Sequence, residues 1–196
     1  MHKTILTSLL LGTIFLSSAA QAASWTVNSE SSSVSFGSVK NTTVGEVHTF
    51  SDVSGKVDEK GVANVKVALK SLETNIDIRN ERMHKHLFNT DQIPEASYNT
   101  TLDMKQFQSL QVGEVLAYDM EGTMQIGVQS VEMDIPVTVT RLGDNQVLVS
   151  SDGLVMLDAD DFDLKAGIEK LRKIAKLNSI DLAVPLTFRL IFNKNP

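Results

Sequence analysis

The stretch Thr74-Asn-Ile-Asp-Ile-Arg-Asn-Glu-Arg-Met-His-Lys-His-Leu-Phe-Asn-Thr-Asp-Gln-Ile-Pro-Glu-Ala-Ser-Tyr98 interrupts a chain that otherwise reads as strands. Before it, apolar residues fall at every second position from Ala63 to Leu69, and after it they do so again from Tyr98 to Met104. A period of two buries one face of a strand. Within the stretch the period changes: Ile76, Met83 and Leu87 fall near a helical repeat, while Arg79, Arg82 and His86 stand at i, i+3 and i+7 on one side of it. The spacing predicts a short helix set between two strands.

Outward from this point the alternation recurs with little noise. Trp25 and Val27, then Val34 and Phe36, begin it, separated by the polar turn Asn28-Ser29-Glu30-Ser31. The segment from Val47 to Val57 leads into Asp58-Glu59-Lys60-Gly61, a hairpin turn with Gly61 free to take a positive φ. Leu116, Tyr118, Met120, Gly122, Met124 and Ile126 oppose Ala117, Asp119, Glu121, Thr123 and Gln125. Val131, Met133, Ile135, Val137 and Val139 alternate with Glu132, Asp134 and Thr138, and Leu182 to Phe192 repeats the pattern at the C-terminus. Long strands with one apolar face require an antiparallel sheet that hides that face. A two-sheet sandwich or a rolled barrel does so. Tight turns at Ile126-Gly127 and Leu142-Gly143-Asp144-Asn145 imply up-and-down connectivity and favour the barrel.

A second exception to the alternation lies between Asp158 and Asn178. Leu164, Ile168, Leu171, Ala175 and Asn178 trace a helical stripe, with Lys165, Lys170, Arg172, Lys173 and Lys176 around it. Asp158, Asp160, Asp161 and Asp163 precede it, where an Asp caps a helix and offsets its dipole. The predicted helix plugs one end of the barrel or lies over its mouth.

Residues 1–22 read as a processed export signal: His2 and Lys3, an apolar run from Ile5 to Leu16, and Ala20-Gln21-Ala22 as the cleavage site. Cleavage after Ala22 is expected, with residues 23–196 forming a single domain. Loss of Lys3 would take the formal charge from −6 to −7. An acidic chain without a basic tract is a poor nucleic-acid binder. The chain has no cysteine, which excludes disulfides, thiolate catalysis and Cys-ligated zinc. An exported domain held only by its core suits the periplasm, where the Asn41 and Asn99 glycosylation sequons carry no meaning.

The motif Asn75-Ile-Asp-Ile-Arg-Asn-Glu-Arg-Met83, then His86-Leu87-Phe88 and Ile93-Pro94-Glu95-Ala96-Ser97-Tyr98, resembles the signature of the YceI-like family, periplasmic lipocalin-like proteins that bind polyisoprenoids. Ser24-Trp25-Thr26-Val27, Ser33 to Phe36, Phe50 to Gly55 and Val184-Pro185-Leu186 extend the resemblance over nearly the whole mature chain. It implies a mainly β fold, an extended antiparallel eight-stranded lipocalin-like β-barrel, here with two short helical insertions. It further implies an apolar lumen holding an isoprenoid tail and association as a homodimer. The segment Asp158–Leu177 departs from the Arg-x-x-Phe-Gly pattern common in the family.

By residue type alone the inward positions describe a packed core; the resemblance makes them a slot for a prenyl phosphate or prenyl quinone. The candidate lumen residues are Phe36, Leu102, Met104, Tyr118, Met120, Met124, Met133, Ile135 and Phe188, with Met156 and Phe192 also expected inward. Methionines suit a flexible hydrocarbon because their unbranched side chains adapt. Arg79, Arg82 and His86 are candidates for a head group, guanidinium being the favoured donor to phosphate oxygens; the alternative is that they fix the helix to strand-end carboxylates or carbonyls. The basic face of the second helix is a candidate for transient contact with an anionic membrane surface.

Neither a metal nor another cofactor is expected. His84 and His86 point apart on a helix, and the calcium-loop pattern starting at Asp158 has Phe162 at a ligand position and Asp163 where glycine is needed. No catalytic motif is present. A carrier is therefore favoured over a stress-related interaction module with a filled barrel, and over a lipid-acting enzyme.

Overall fold

The computed structural model describes residues 24–195; the export segment expected over residues 1–22 lies outside them. In chain order the strands are β1 (Trp25–Val27), β2 (Ser33–Lys40), β3 (Val44–Phe50), β4 (Val53–Val57), β5 (Val62–Ala68), β6 (Leu72–Glu73), β7 (Glu95–Thr101), β8 (Val115–Ile126), β9 (Gln129–Gly143), β10 (Gln146–Ser151), β11 (Val155–Asp158) and β12 (Ala183–Lys194). The α-helices are α1 (Asp77–Met83), α2 (Met104–Gln108) and α3 (Lys165–Ile174). Strands β1, β4, β5, β7, β8, β9, β10 and β12 pair in that order, and β12 pairs back to β1. This is a closed eight-stranded antiparallel barrel, as the alternation implied.

Closure leaves no free edge around the ring, because every strand is paired on both sides. The longest ladder joins β8 to β9, with Tyr118 opposite Val137 and Met120 opposite Ile135. At one end the wall continues beyond the ring: β2 and β11 pair with the first half of β12, and β3 with β2. The meander needs one close approach. A Cβ on Gly122 would sit 2.6 Å from the Tyr98 ring and 2.5 Å from the Asn99 carbonyl oxygen, so glycine makes the room that Tyr98 occupies. Tyr98 uses that room to place its hydroxyl 2.9 Å from the Met120 carbonyl oxygen, to which it donates. Burial, with the Asp134 and Glu121 charges added, pushes its pKa up to about 12.

The extended end is plugged. Phe50, Leu69, Leu72, Met83, Phe88 and Phe162 are buried in one cluster, Phe50 stacking on Phe36 at 5.4 Å and meeting the Phe88 ring at 5.9 Å. The predicted helix is found as α1, and it continues through a wider π-turn, His84–Phe88, before Asn89 ends it at φ 48°. Helix α3 lies against that turn so closely that a Cβ on Gly167 would be 2.6 Å from the His86 carbonyl oxygen. Of its predicted stripe, Ile168 is buried and Leu164 and Leu171 pack on the core.

Three details differ from the sequence reading. Strand β7 stops at Thr101, and Met104 opens a third short helix, α2, because the Asp103 carboxylate accepts the Lys105 N–H and caps it. The aspartates before α3 do not cap it: Asp158 caps a 3-10 turn, Ala159–Phe162, and α3 begins only at Lys165. Met156 is outward and 56% exposed, because β11 lies outside the closed ring and pairs with β12 alone.

Candidate functional site

The inward side chains leave a cavity of about 560 Å³ within the ring. Val65 and Val67 of β5, Tyr98 of β7, Met120 and Met124 of β8, Ile135 to Val139 of β9, Val147 and Val149 of β10, and Leu186 to Phe192 of β12 form its wall. Such a volume lies within the range of small-molecule sites, roughly 300–1,000 Å³, and apolar walls of this kind favour hydrocarbon. On β12 the lining runs from Leu186 to Lys194. That is about 26 Å of strand, or about 20 Å of depth at the usual barrel tilt.

Charged side chains line the cavity at one end only. Trp25, Glu59, Gln108, Arg141 and Lys194 line the end away from the plug, together with Leu102, Met104, Phe107 and Leu110. Helix α2 stands there, and Phe107 meets Tyr118 edge-on at 5.0 Å. This end is the mouth.

Of the sequence candidates, Leu102, Met104, Tyr118, Met120, Met124, Ile135 and Phe188 line the cavity. Phe36 and Met133 do not. Their inward phase is right, but Phe36 lies in the plug, and Met133 packs into the cluster around Ile135 and Tyr98, whose hydroxyl reaches the Met133 carbonyl oxygen at 3.1 Å. Arg141 and Lys194 lie one inward position beyond the last apolar residue of their strands, so the apolar pattern alone does not point to them. Continuing the period of two from Val139 to Arg141 and from Phe192 to Lys194 finds both.

Arg79, Arg82 and His86 line no part of the cavity and stand at the plugged end. Arg79 donates from Nη1 to Glu46 Oε1 at 2.6 Å and from Nη2 to the Thr74 carbonyl at 2.7 Å. It thus ties α1 to β3, as the alternative reading supposed. Lys40 reaches the same Glu46 oxygen at 2.7 Å. Burial alone raises the Glu46 pKa, but these two cations outweigh it and hold the carboxylate below its usual range. His86 faces α3; partial desolvation, with Lys170, Lys85 and Arg82 nearby, depresses its pKa.

His48 adjoins this cluster. It is 3% exposed, packs edge-on against Phe36 at 5.2 Å, and its Nδ1 has no partner. Burial first and the Arg79 charge second lower its pKa below the ordinary 6.5. The folded state therefore binds fewer protons here than the unfolded chain. Stability from this group is complete above about pH 6.5 and falls as pH drops toward the lower folded value. Thermal melts of the wild type should fall steadily between pH 7 and pH 5, and H48Q should flatten much of that slope. An equal slope in H48Q would assign the loss to other groups, His86 foremost.

Residues 25–192 match the YceI-like domain. A solved polyisoprenoid binding domain from Saccharophagus degradans, implicated in plant cell wall breakdown, is 32% identical over 87% of this chain and 98% of that one, with a TM-score of 0.85. Burkholderia cenocepacia BcnA is 20% identical over 84% of this chain and 98% of its own, at 0.64. The Campylobacter jejuni YCEI protein is 13% identical over 76% and 85%, at 0.53. These last two likenesses show the fold alone. No curated protein matches the chain. The Arg79 motif that ties α1 to β3, the closed ring and the domain match over almost all described residues lead to one assignment: the chain belongs to the YceI-like domain family.

Proposed function

We propose that this protein is an exported, periplasmic carrier that shelters the tail of a polyisoprenoid lipid in its barrel and performs no catalysis. The observation that carries the reading is the cavity itself: mainly apolar along its depth, blocked by aromatic side chains at one end and charged only at the other. The polyisoprenoid-binding description of the Saccharophagus degradans relative supports the ligand class. An isoprene unit contributes about 5 Å when extended: four backbone bonds, one of them a C=C, each advancing roughly 1.25 Å along the zigzag. A depth of about 20 Å then takes about four units in a single pass. Longer tails double back or leave the mouth.

Exchange with a membrane follows from the energetics. Forty prenyl carbons at about 0.8 kcal/mol each would sum to about 32 kcal/mol, beyond the roughly 18–21 kcal/mol reached by non-covalent complexes. A lipid drawn from a bilayer was already in an apolar medium, so the net transfer is small and the loading reversible. The mouth is the exchange surface: Val112, Val115 and Leu142 are exposed beside it, where Gly113 donates its N–H to the Arg141 carbonyl at 2.8 Å. These exposed apolar side chains support membrane contact at the mouth in preference to the basic face of α3.

Trp25 is the chain's single tryptophan and stands at the mouth, so it reports occupancy. Titration of the mature protein with geranylgeraniol should change its emission saturably, at one lipid per chain. No change, with a fatty alcohol of equal length giving none either, would contradict the carrier reading.

A further inference from the structure

The mouth distinguishes between head groups. Arg141 and Lys194 continue the inward faces of β9 and β12, and both line the cavity where its apolar wall ends. Arg141 is held rigidly. Its Nε donates to the Gly143 carbonyl at 2.7 Å and its Nη2 to the Asp144 carbonyl at 2.5 Å, while the guanidinium carbon stands 5.6 Å from the centre of the Trp25 ring. Two bonds and the Trp25 ring fix the plane of the fork and leave Nη1 without an acceptor among the described residues.

Lys194 comes to the same rim from the other side. It stands opposite Trp25 in the β1–β12 ladder, and its backbone N–H is fixed 2.8 Å from the Asn145 carbonyl in the turn that Arg141 braces. Its ammonium makes no ion pair among the described residues. Glu59 is the one carboxylate among the lining residues. The rim is therefore cationic in a chain whose formal charge is −6. A neutral quinone or alcohol gains little from two cations, whereas a phosphate monoester meets a preset guanidinium and a mobile ammonium.

Resting on the carrier reading, we propose that Arg141 and Lys194 are the specificity-determining residues of the mouth and select a lipid with a phosphate head over its neutral counterpart. Arg141 supplies a fixed Nη1–H donor and Lys194 closes on the opposite oxygens. Glu59, the one carboxylate of the lining, offsets part of their positive charge.

The test compares geranylgeranyl monophosphate with geranylgeraniol in the Trp25 titration, in wild type, K194Q, R141K and the double variant, with K170Q as a remote control. The wild type and K170Q should prefer the phosphate at least tenfold. The preference should fall several-fold in K194Q and in R141K, approach unity in the double variant, and shrink as salt rises. Circular dichroism melts confirm that each variant is folded. Inorganic phosphate at the lipid's concentration should leave the Trp25 signal unmoved; a matching shift would replace the lipid assignment by a free-anion site. Equal wild-type affinities for phosphate and alcohol would overturn the head-group assignment while leaving the lumen reading intact. Binding of neither lipid would overturn both.

Discussion

Replacing Phe88 by alanine is expected to cost about 3–5 kcal/mol of folding stability, the usual loss for a buried phenylalanine whose site cannot collapse. Phe88 is 6% exposed and meets Phe50 edge-on at 5.9 Å, and Phe50 in turn stacks on Phe36 at 5.4 Å. The ring belongs to the π-turn after α1, against which α3 packs without a gap at Gly167. Two elements of fixed backbone thus surround the hole that alanine would leave, and neither can move in to fill it. For a domain of this size the change lowers the melting temperature by roughly 10 °C. Urea unfolding of wild type and F88A measures it directly. A loss under about 1 kcal/mol would mean that the end of the barrel is loosely packed and not a plug.

The second large effect falls on binding. Val149 is half-buried on β10, touches both core clusters and turns its remaining surface to the cavity. In V149F the added ring has room to enter, so it should leave stability within about 1 kcal/mol of wild type. There it takes the place of about three ligand carbons, worth about 2 kcal/mol in all, which is about thirty-fold in affinity. The Trp25 titration checks this, since Trp25 lies at the mouth and is untouched by the change. Unchanged affinity in a folded V149F protein would place the tail somewhere other than the lumen.

The two substitutions also separate the parts of the sequence that were legible from those that were not. Periodicity gave the ring: the inward sets on β8, β9 and β12 were readable because a barrel repeats one rule along every strand. Depth along the axis was not readable. Phe36 and Phe188 share the inward phase and face each other's strands, yet one sits in the plug and the other on the cavity, because a period of two carries no information about where a plug begins. The apolar phase of Met104 continues that of Leu102 and reads as strand, but the local Asp103 cap turns the chain into α2 instead.

The charged residues failed for a different reason. Arg79 and its partner Glu46 are 33 residues apart, and nothing in either segment names the other. The sequence therefore points a head-group role at the arginines of the recognisable motif, which stand at the plugged end of the barrel. Arg141 and Lys194 sit at strand ends, where a sequence reading expects a solvated charge, and only closure of the ring brings both to one rim. The motif marks how the plug is tied down. The mouth is formed by residues that carry no motif at all.

The central claim is tested most directly by native mass spectrometry of the mature protein isolated from the periplasm of its own host, followed by organic extraction and identification of what is released. The account predicts one adduct per chain that yields a prenyl lipid, at lower occupancy in V149F prepared in parallel. An adduct-free mass that stays unchanged after incubation with prenyl-lipid vesicles would contradict it, and would leave a barrel whose cavity serves no isoprenoid.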